Sequence, residues 1–144
     1  LSDYRNHPPQ ALSGGQKQLL AIAGVLANNP SALILDEPNV MLDSTNHDQV
    51  LKTLLKLHRK EDLTILLITH DMSQAIYAER ILVIYEGQII KEAIPSTLFK
   101  DREGLQELGL EVPVLVEIAH YLQQGGIDLP PDLLTVDDLV GALC

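Results

Sequence analysis

Ala32-Leu33-Ile34-Leu35-Asp36-Glu37-Pro38 decides the architecture of this chain. Four apolar residues in a row run into two carboxylates and a proline. A continuous apolar run of this kind reads as a strand covered on both faces in a parallel sheet. Thr64–Thr69, sequence TILLIT, is a second such run and ends at His70-Asp71. In open α/β sheets ligands sit beyond the carboxyl ends of the strands, and both pairs of polar residues lie there. Upstream, Leu12-Ser13-Gly14-Gly15-Gln16 opens an Ala- and Leu-rich stretch.

Working outward, the spacing predicts a helix over Gly14–Ala27, with Leu19, Ile22, Ala23 and Leu26 on one face, stopped by Asn28-Asn29-Pro30. A second amphipathic helix spans Asn46–His58, with Val50, Leu51, Leu54, Leu55 and His58 in register. Met72–Ala78 is a short helix, and Glu86-Gly87 is a two-residue hairpin connection between strands Arg80–Tyr85 and Gln88–Glu92. The order is helix, strand, helix, strand, helix, strand, strand, which reads as α/β with a mostly parallel sheet and an antiparallel end. Beyond Pro95 the pattern changes. Leu105, Leu108 and Leu110 lead to Pro113, and a helix follows over Val114–Gln124 with Leu115, Ile118, Ala119 and Leu122 on one face. Gly125-Gly126 ends it, and Thr135-x-x-Asp138 resembles a capping box before a last helix, Val136–Leu143. Residues 101–144 read as a small helical appendage to a unit over residues 1–100.

Composition limits what this chain can be. It has 144 residues, 46% of them apolar and 3% aromatic, so its core is aliphatic. The single Cys, Cys144, excludes a disulfide framework and fits a reducing compartment. No apolar run reaches the roughly 20 residues of a membrane span, so the chain reads as soluble and able to dock on a membrane protein. Net charge is −10, unevenly spread. Residues 1–100 hold 11 acids and 9 bases, whereas residues 101–144 hold 9 acids and one base, Arg102. That acidic end argues against nucleic-acid binding, which needs Lys and Arg facing phosphates.

The chemistry lies in the short motifs. At the start of a helix, Ser13-Gly14-Gly15-Gln16 combines close backbone approach at the glycines with free N–H groups and a dipole that favour an anion. An ordinary N-cap followed by flexible glycines is the plainer reading of Ser-Gly-Gly alone; the full pentapeptide before a strand ending Asp-Glu is far more specific. Asp36 can hold Mg²⁺ through its water shell and Glu37 can deprotonate an attacking water, because successive strand residues point opposite ways. An isolated Asp-Glu-Pro would be no more than a polar strand end. His70 can donate to a γ-phosphate, though a lone His is more often structural, as His7, His47, His58 and His120 are taken to be. The phosphate-cradling G-x-x-x-x-G-K-[ST] loop is absent, since none of the nine glycines precedes a lysine.

Taken together, these stretches resemble the ABC ATPases. Leu12–Gln16 is similar to the signature motif, Leu33–Glu37 to the Walker B strand with its glutamate, Leu42-Asp43 to the D-loop and His70 to the switch histidine. The resemblance runs from about Leu12 to Lys100, in the family's order and spacing. The stretches Glu107–Pro113, Gly126–Pro130 and Leu134–Val140 resemble the C-terminal extension of energy-coupling-factor ATPases, the cobalt, nickel and vitamin importers. The resemblance implies a fold: the C-terminal half of a P-loop NTPase-like ABC ATPase, signature helix plus mostly parallel sheet, with a helical extension. It implies roles as well. Ser13, Gly14, Gly15 and Gln16 bind the γ-phosphate of an ATP held by the opposite subunit; Asp36 supports Mg²⁺; Glu37 activates water; His70 contacts the γ-phosphate; and Asp43 couples the two sites. It further implies a second ABC ATPase subunit, homo- or heterodimeric, and transmembrane coupling and substrate-binding subunits, with the protein peripheral at the cytoplasmic face of the membrane and no nucleic-acid partner.

Two local departures stand out. Leu19 occupies a position where the family often has Arg or Lys, and Asn39-Val40-Met41-Leu42-Asp43-Ser44 replaces Thr-Ala-Gly-Leu-Asp-Pro. Residue 1 is Leu, and together with the missing phosphate loop this favours a segment of a longer protein, inactive by itself. Two other readings compete: a non-transport ABC ATPase of DNA repair or translation, which would carry a coiled-coil insertion or a second cassette, and a stand-alone interaction module.

Overall fold

The computed structural model describes residues 2–38, 44–61, 63–130 and 132–143, with side chains omitted at 2, 44–48, 60 and 61. The chain divides into two compact units, Leu1–Thr69 and His70–Cys144.

In the first unit, short 3-10 turns at Ser2–Tyr4 and Pro9–Ala11 precede helix α1 (Gly14–Leu26), strand β1 (Ala32–Asp36), helix α2 (Ser44–Glu61) and strand β2 (Thr64–Ile68). The helices form where the apolar spacing predicts them, and α2 runs longer at both ends than the pattern suggested. Ile22 of α1, Leu33 and Leu35 of β1, and Val50 and Leu54 of α2 pack with Leu63 into one aliphatic core. Each such side chain contributes roughly 1.5–3 kcal/mol by leaving water. Leu19 belongs to this core as a partly buried residue, so an apolar side chain here has a packing role. β1 and β2 pair in parallel, Ala32 opposite Thr64 through Asp36 opposite Ile68.

Two expectations are corrected. β1 and β2 are not covered on both faces. Leu33 and Leu35 point into the core, while Ile34 is 66% exposed and its neighbours Leu66 and Ile68 are about half exposed. The apolar run sets up two faces, and among the described residues α1 and α2 supply a core for one of them. Nor do the strands form one sheet. They make two two-stranded sheets, the parallel pair and an antiparallel hairpin, because among the described residues no strand bridges them.

The second unit contains helix α3 (Met72–Ala75), the hairpin β3 (Ile81–Tyr85) and β4 (Gln88–Ala93), and helices α4 (Pro95–Leu98), α5 (Arg102–Glu107), α6 (Val114–Gln124) and α7 (Val136–Leu143). The hairpin turn falls at Glu86-Gly87, both at positive φ (49° and 76°), as a two-residue primed turn requires. A bulge interrupts the pairing between Val83 and Ile84. Pro95 takes the first position of α4. Leu98 and Phe99, fully buried, anchor a core with Met72, Val83, Leu105 and Val112. A second cluster forms around Ala119, Leu129 and Leu133. α6 serves both, with Val116 against the first and Leu122 against the second. Ile118, expected on the packed face, is 43% exposed, because holding two cores rotates the buried stripe. The Thr135 capping box forms as expected: Asp138 N–H donates to Thr135 Oγ1 at 3.2 Å, and Thr135 N–H donates to Asp138 Oδ2 at 2.8 Å.

Arg102, the one base of the acidic segment, ties α5 to α6. Its guanidinium lies 3.5 Å from Glu117 and 5.8 Å from the centre of the Tyr121 ring.

Candidate functional site

The start of α1 is built by its sequence. Ser13 is the N-cap, with extended backbone (φ −64°, ψ 166°). Its Oγ accepts from Gln16 N–H at 3.3 Å, and Gln16 Oε1 accepts from Ser13 N–H at 3.0 Å, a reciprocal capping box. The first intrahelical bond is Lys17 N–H to Ser13 O, at 2.9 Å. Gly14 and Gly15 precede it, so their N–H groups are first-turn donors with no partner inside the helix. Gln16 closes the cap with its carbonyl oxygen and keeps its amide N–H donors for a ligand. Ser13 keeps a free role, because a hydroxyl that accepts a hydrogen bond still has its own proton to give.

Asp36 ends β1 on its exposed face. Glu37 leaves the strand. Its φ is +43°, a left-handed conformation that costs a non-glycine residue of order 1–3 kcal/mol and that clusters at functional sites. Its N–H still donates to Ile68 O at 2.9 Å, which extends the parallel pairing by one bond. The backbone therefore turns at Glu37, and strand alternation does not extend to it. Pro38, the next residue, is buried.

Because Asp36 is in register with Ile68, the carboxyl ends of β1 and β2 line up. His70 follows Ile68 by two residues, exposed, as the first residue of the second unit. α1 and β1, joined by a tight turn, line one apolar hollow of about 200 Å³ through Ala21, Val25, Leu33 and Ile34. Leu42 and Asp43, with Met41, lie outside the described residues.

Asp36 fits Mg²⁺ in the manner that ion prefers, with one or two carboxylates and the remaining positions left to water and phosphates. No group of three or more His, Cys, Asp or Glu side chains able to hold a metal by themselves occurs among the described residues. His58 and His120 have partners of their own: His58 Nδ1 lies 2.9 Å from Leu63 O, and His120 Nε2 lies 2.9 Å from Gln124.

Asp71, quoted above only as the end of the second apolar run, and Gln74, not quoted there, have roles that the motifs do not give. Asp71 caps α3, and Gln74 is buried beneath it. An Asp followed three residues later by Gln, as Asp71 and Gln74 are, is a recognisable helix-start pattern. Nothing in the sequence marks Gln74 as buried.

A capped glycine-rich helix start, with a parallel strand ending in two carboxylates, is the arrangement that the resemblance to ABC ATPases implies. Comparison with known proteins agrees. The family model described as ABC transporter matches residues 1–40. Energy-coupling factor transporter ATP-binding protein EcfA1 of Caldanaerobacter subterraneus subsp. tengcongensis is 42% identical over 142 residues, 99% of this chain and 51% of that protein. The protein of the same name from Clostridium perfringens is 44% identical, over 99% of this chain and 50% of its own length. Among solved structures, cbiO1 from Clostridium perfringens, described as part of the ABC transporter complex cbiONQ, superposes with a TM-score of 0.68 at 32% identity, over 85% of this chain and 48% of that one. Over nearly its whole length the chain is similar to ATP-binding proteins of energy-coupling-factor transporters. It spans about half the length of the curated relatives it matches.

Proposed function

We propose that the chain supplies the signature helix and the hydrolytic carboxylates of an ATPase subunit that powers an energy-coupling-factor importer. A metal ion such as cobalt or nickel, or a vitamin, is the proposed cargo. Hydrolysis in the whole protein also needs a phosphate-gripping loop, which these 144 residues do not contain. Residues 1–100 belong to the cassette and 101–144 to the acidic extension. The observation that carries this reading is the end of β1, where Asp36 is followed by Glu37 in a strained left-handed turn.

In this reading Ser13 Oγ and the Gly14 and Gly15 N–H groups donate to the γ-phosphate of an ATP held by a second ATPase subunit. Asp36 orients the water shell of Mg²⁺ through its carboxylate. The ion, when bound, neutralises charge on the β- and γ-phosphates. Glu37 takes the proton of the attacking water, a general-base role worth about 10²–10⁴ in rate. His70 donates to the γ-phosphate, and Asp43 couples the paired sites. The partners are a second ATPase subunit, homo- or heterodimeric, and the membrane subunits of the importer. The protein sits peripherally at the cytoplasmic face; among the described residues no helix is long and apolar enough to cross a membrane.

Glu37→Gln in the intact protein tests the assignment. ATP binding stays within about twofold of the parent while turnover falls at least a hundredfold, as loss of a general base demands. Turnover within twofold of the parent refutes the role of Glu37.

A further inference from the structure

Asp71 and Gln74 stand one and four residues after His70, in the turn that carries it. α3 is a single turn of four residues, Met72–Ala75. A turn that short does not hold by helix propensity, because nucleation is unfavourable. Two things hold it here. Met72 and Ala75 are buried in the core that contains Leu98 and Phe99. The Asp71 carboxylate binds the rest of the turn. Its Oδ1 accepts from Ser73 N–H at 2.9 Å and from Ser73 Oγ–H at 2.6 Å, and its Oδ2 accepts from Gln74 Nε2–H at 3.0 Å. Gln74 N–H closes the turn on Asp71 O at 3.1 Å.

Gln74 is the unusual member. It is 3% exposed, and among the described residues its Oε1 has no hydrogen-bond partner. Burying half of a carboxamide unsatisfied is unfavourable. An apolar side chain would fill the same space without that penalty. What the carboxamide provides is the Nε2–H donated to Asp71, a bond to a charged acceptor and so among the stronger kinds. Asp71 is extended (φ −84°, ψ 101°), so its clamped carboxylate fixes the direction in which the chain leaves His70.

We propose that the Asp71–Gln74 hydrogen bond is a latch that positions His70 toward the phosphate, with Gln74 acting through Asp71 and not on the nucleotide. The proposal rests on the reading of His70 as a phosphate contact. A displacement of about 1 Å at a catalytic group can cost on the order of a hundredfold in rate. Loosening the latch therefore lowers kcat and leaves the KM for ATP nearly unchanged, since the grip on the nucleotide lies elsewhere.

The experiment uses steady-state ATPase kinetics of the intact protein with its partner subunits, with thermal melting alongside. Gln74→Glu sets two carboxylates against each other. It is expected to lower kcat at least tenfold with KM within about twofold. Adding Asp71→Asn restores a donor–acceptor pair and returns kcat to within about threefold of the parent. In a His70→Ala background, Gln74→Glu brings no further loss, because the group it positions is gone. If Gln74→Glu lowers the melting temperature, Gln74→Met decides instead: it keeps the volume, removes the donor, and shows the same kcat loss. A parental kcat in both Gln74 variants, with His70→Ala impaired, overturns the latch alone. A Gln74 loss that adds in full to that of His70→Ala also overturns it. His70→Ala at the parental rate sinks the reading of His70 itself.

Discussion

Replacing Ser13 by aspartate separates the capping role of its side chain from contact with a phosphate. Ser13 closes both bonds of the capping box, at 3.3 and 3.0 Å. Ser13→Ala removes the acceptor and costs about 1 kcal/mol, within a range of roughly 0.5–2. In a folded chain of about 150–250 residues, a loss of that size lowers the melting temperature by about 2–4 °C. Ser13→Asp caps as well as serine does, and its charge suits the positive end of α1, so the melting temperature stays within about 1 °C of the parent. A carboxylate about 4 Å from a phosphate, however, is repelled by roughly 1 kcal/mol in water and about 4 kcal/mol near a protein surface, for each unit of charge. Phosphates carry more than one unit, so ATP turnover falls at least tenfold. The assay pairs a melting curve with steady-state ATPase turnover of the intact protein for both variants. Ser13→Asp with parental stability and turnover within twofold of the parent would show that the hydroxyl faces no phosphate. Ser13→Ala with an unmoved melting temperature would show that the capping box contributes nothing.

Other consequences concern stability. Leu98 and Phe99 are among the largest fully buried side chains, at 0% and 1% exposed; truncating Phe99 to alanine costs about 3–5 kcal/mol and Leu98 about 2–5. Chemical denaturation measures this, with exposed Val114→Ala as a control expected within about 0.5 kcal/mol of the parent; a loss below 1 kcal/mol at Phe99 contradicts the core. Acid should loosen the second unit. The hydrogen bond from Lys91, then the Gly104 N–H, holds the Asp101 carboxyl below its usual 3.8, and hydrogen bonds from the Thr135 side chain, then from Thr135 and Leu134 N–H, do the same for Asp138. Carboxylates depressed in the folded state contribute stability above their unfolded pKa and lose it as pH falls through the folded one, so melting temperature declines from about pH 5 downward. Asp101→Asn with Asp138→Asn should flatten that decline, and an unchanged slope would remove both groups from the account.

What was legible in the sequence is what neighbouring residues decide. The Glu86-Gly87 turn, the Thr135–Asp138 box, Pro95 at the head of α4 and the span Val114–Gln124 need only local geometry, and each stands where its residues put it. The open face of β1 and β2 was not legible, because Ile34 and Leu35 are alike in polarity and only the packing helices choose between them. The turn at Glu37 was hidden for a related reason. Strand alternation is the default for the residue after Asp36, and its departure is visible only in the backbone, where Glu37 has a φ of +43°. Gln74 belongs to a third kind: a polar residue is assigned to solvent until a buried partner, here Asp71, is known. The conformations of the candidate residues, by contrast, could not be read in advance.

The open face and the carboxylates belong to one argument. Ile34, Leu66 and Ile68 share their exposed side of the parallel pair with Asp36. With water over that face, a charge on Asp36 acts through a high dielectric, and its pull on a cation about 4 Å away is on the order of 1 kcal/mol. Covering the apolar residues beside it would exclude that water and raise the same pull toward 4 kcal/mol. The curated relatives are about twice as long as this chain, so they have protein to spend on such a cover. The exposed isoleucines thus bear on the chemistry: whatever shields them also sets how strongly Asp36 can act, and it does so without touching the carboxylate.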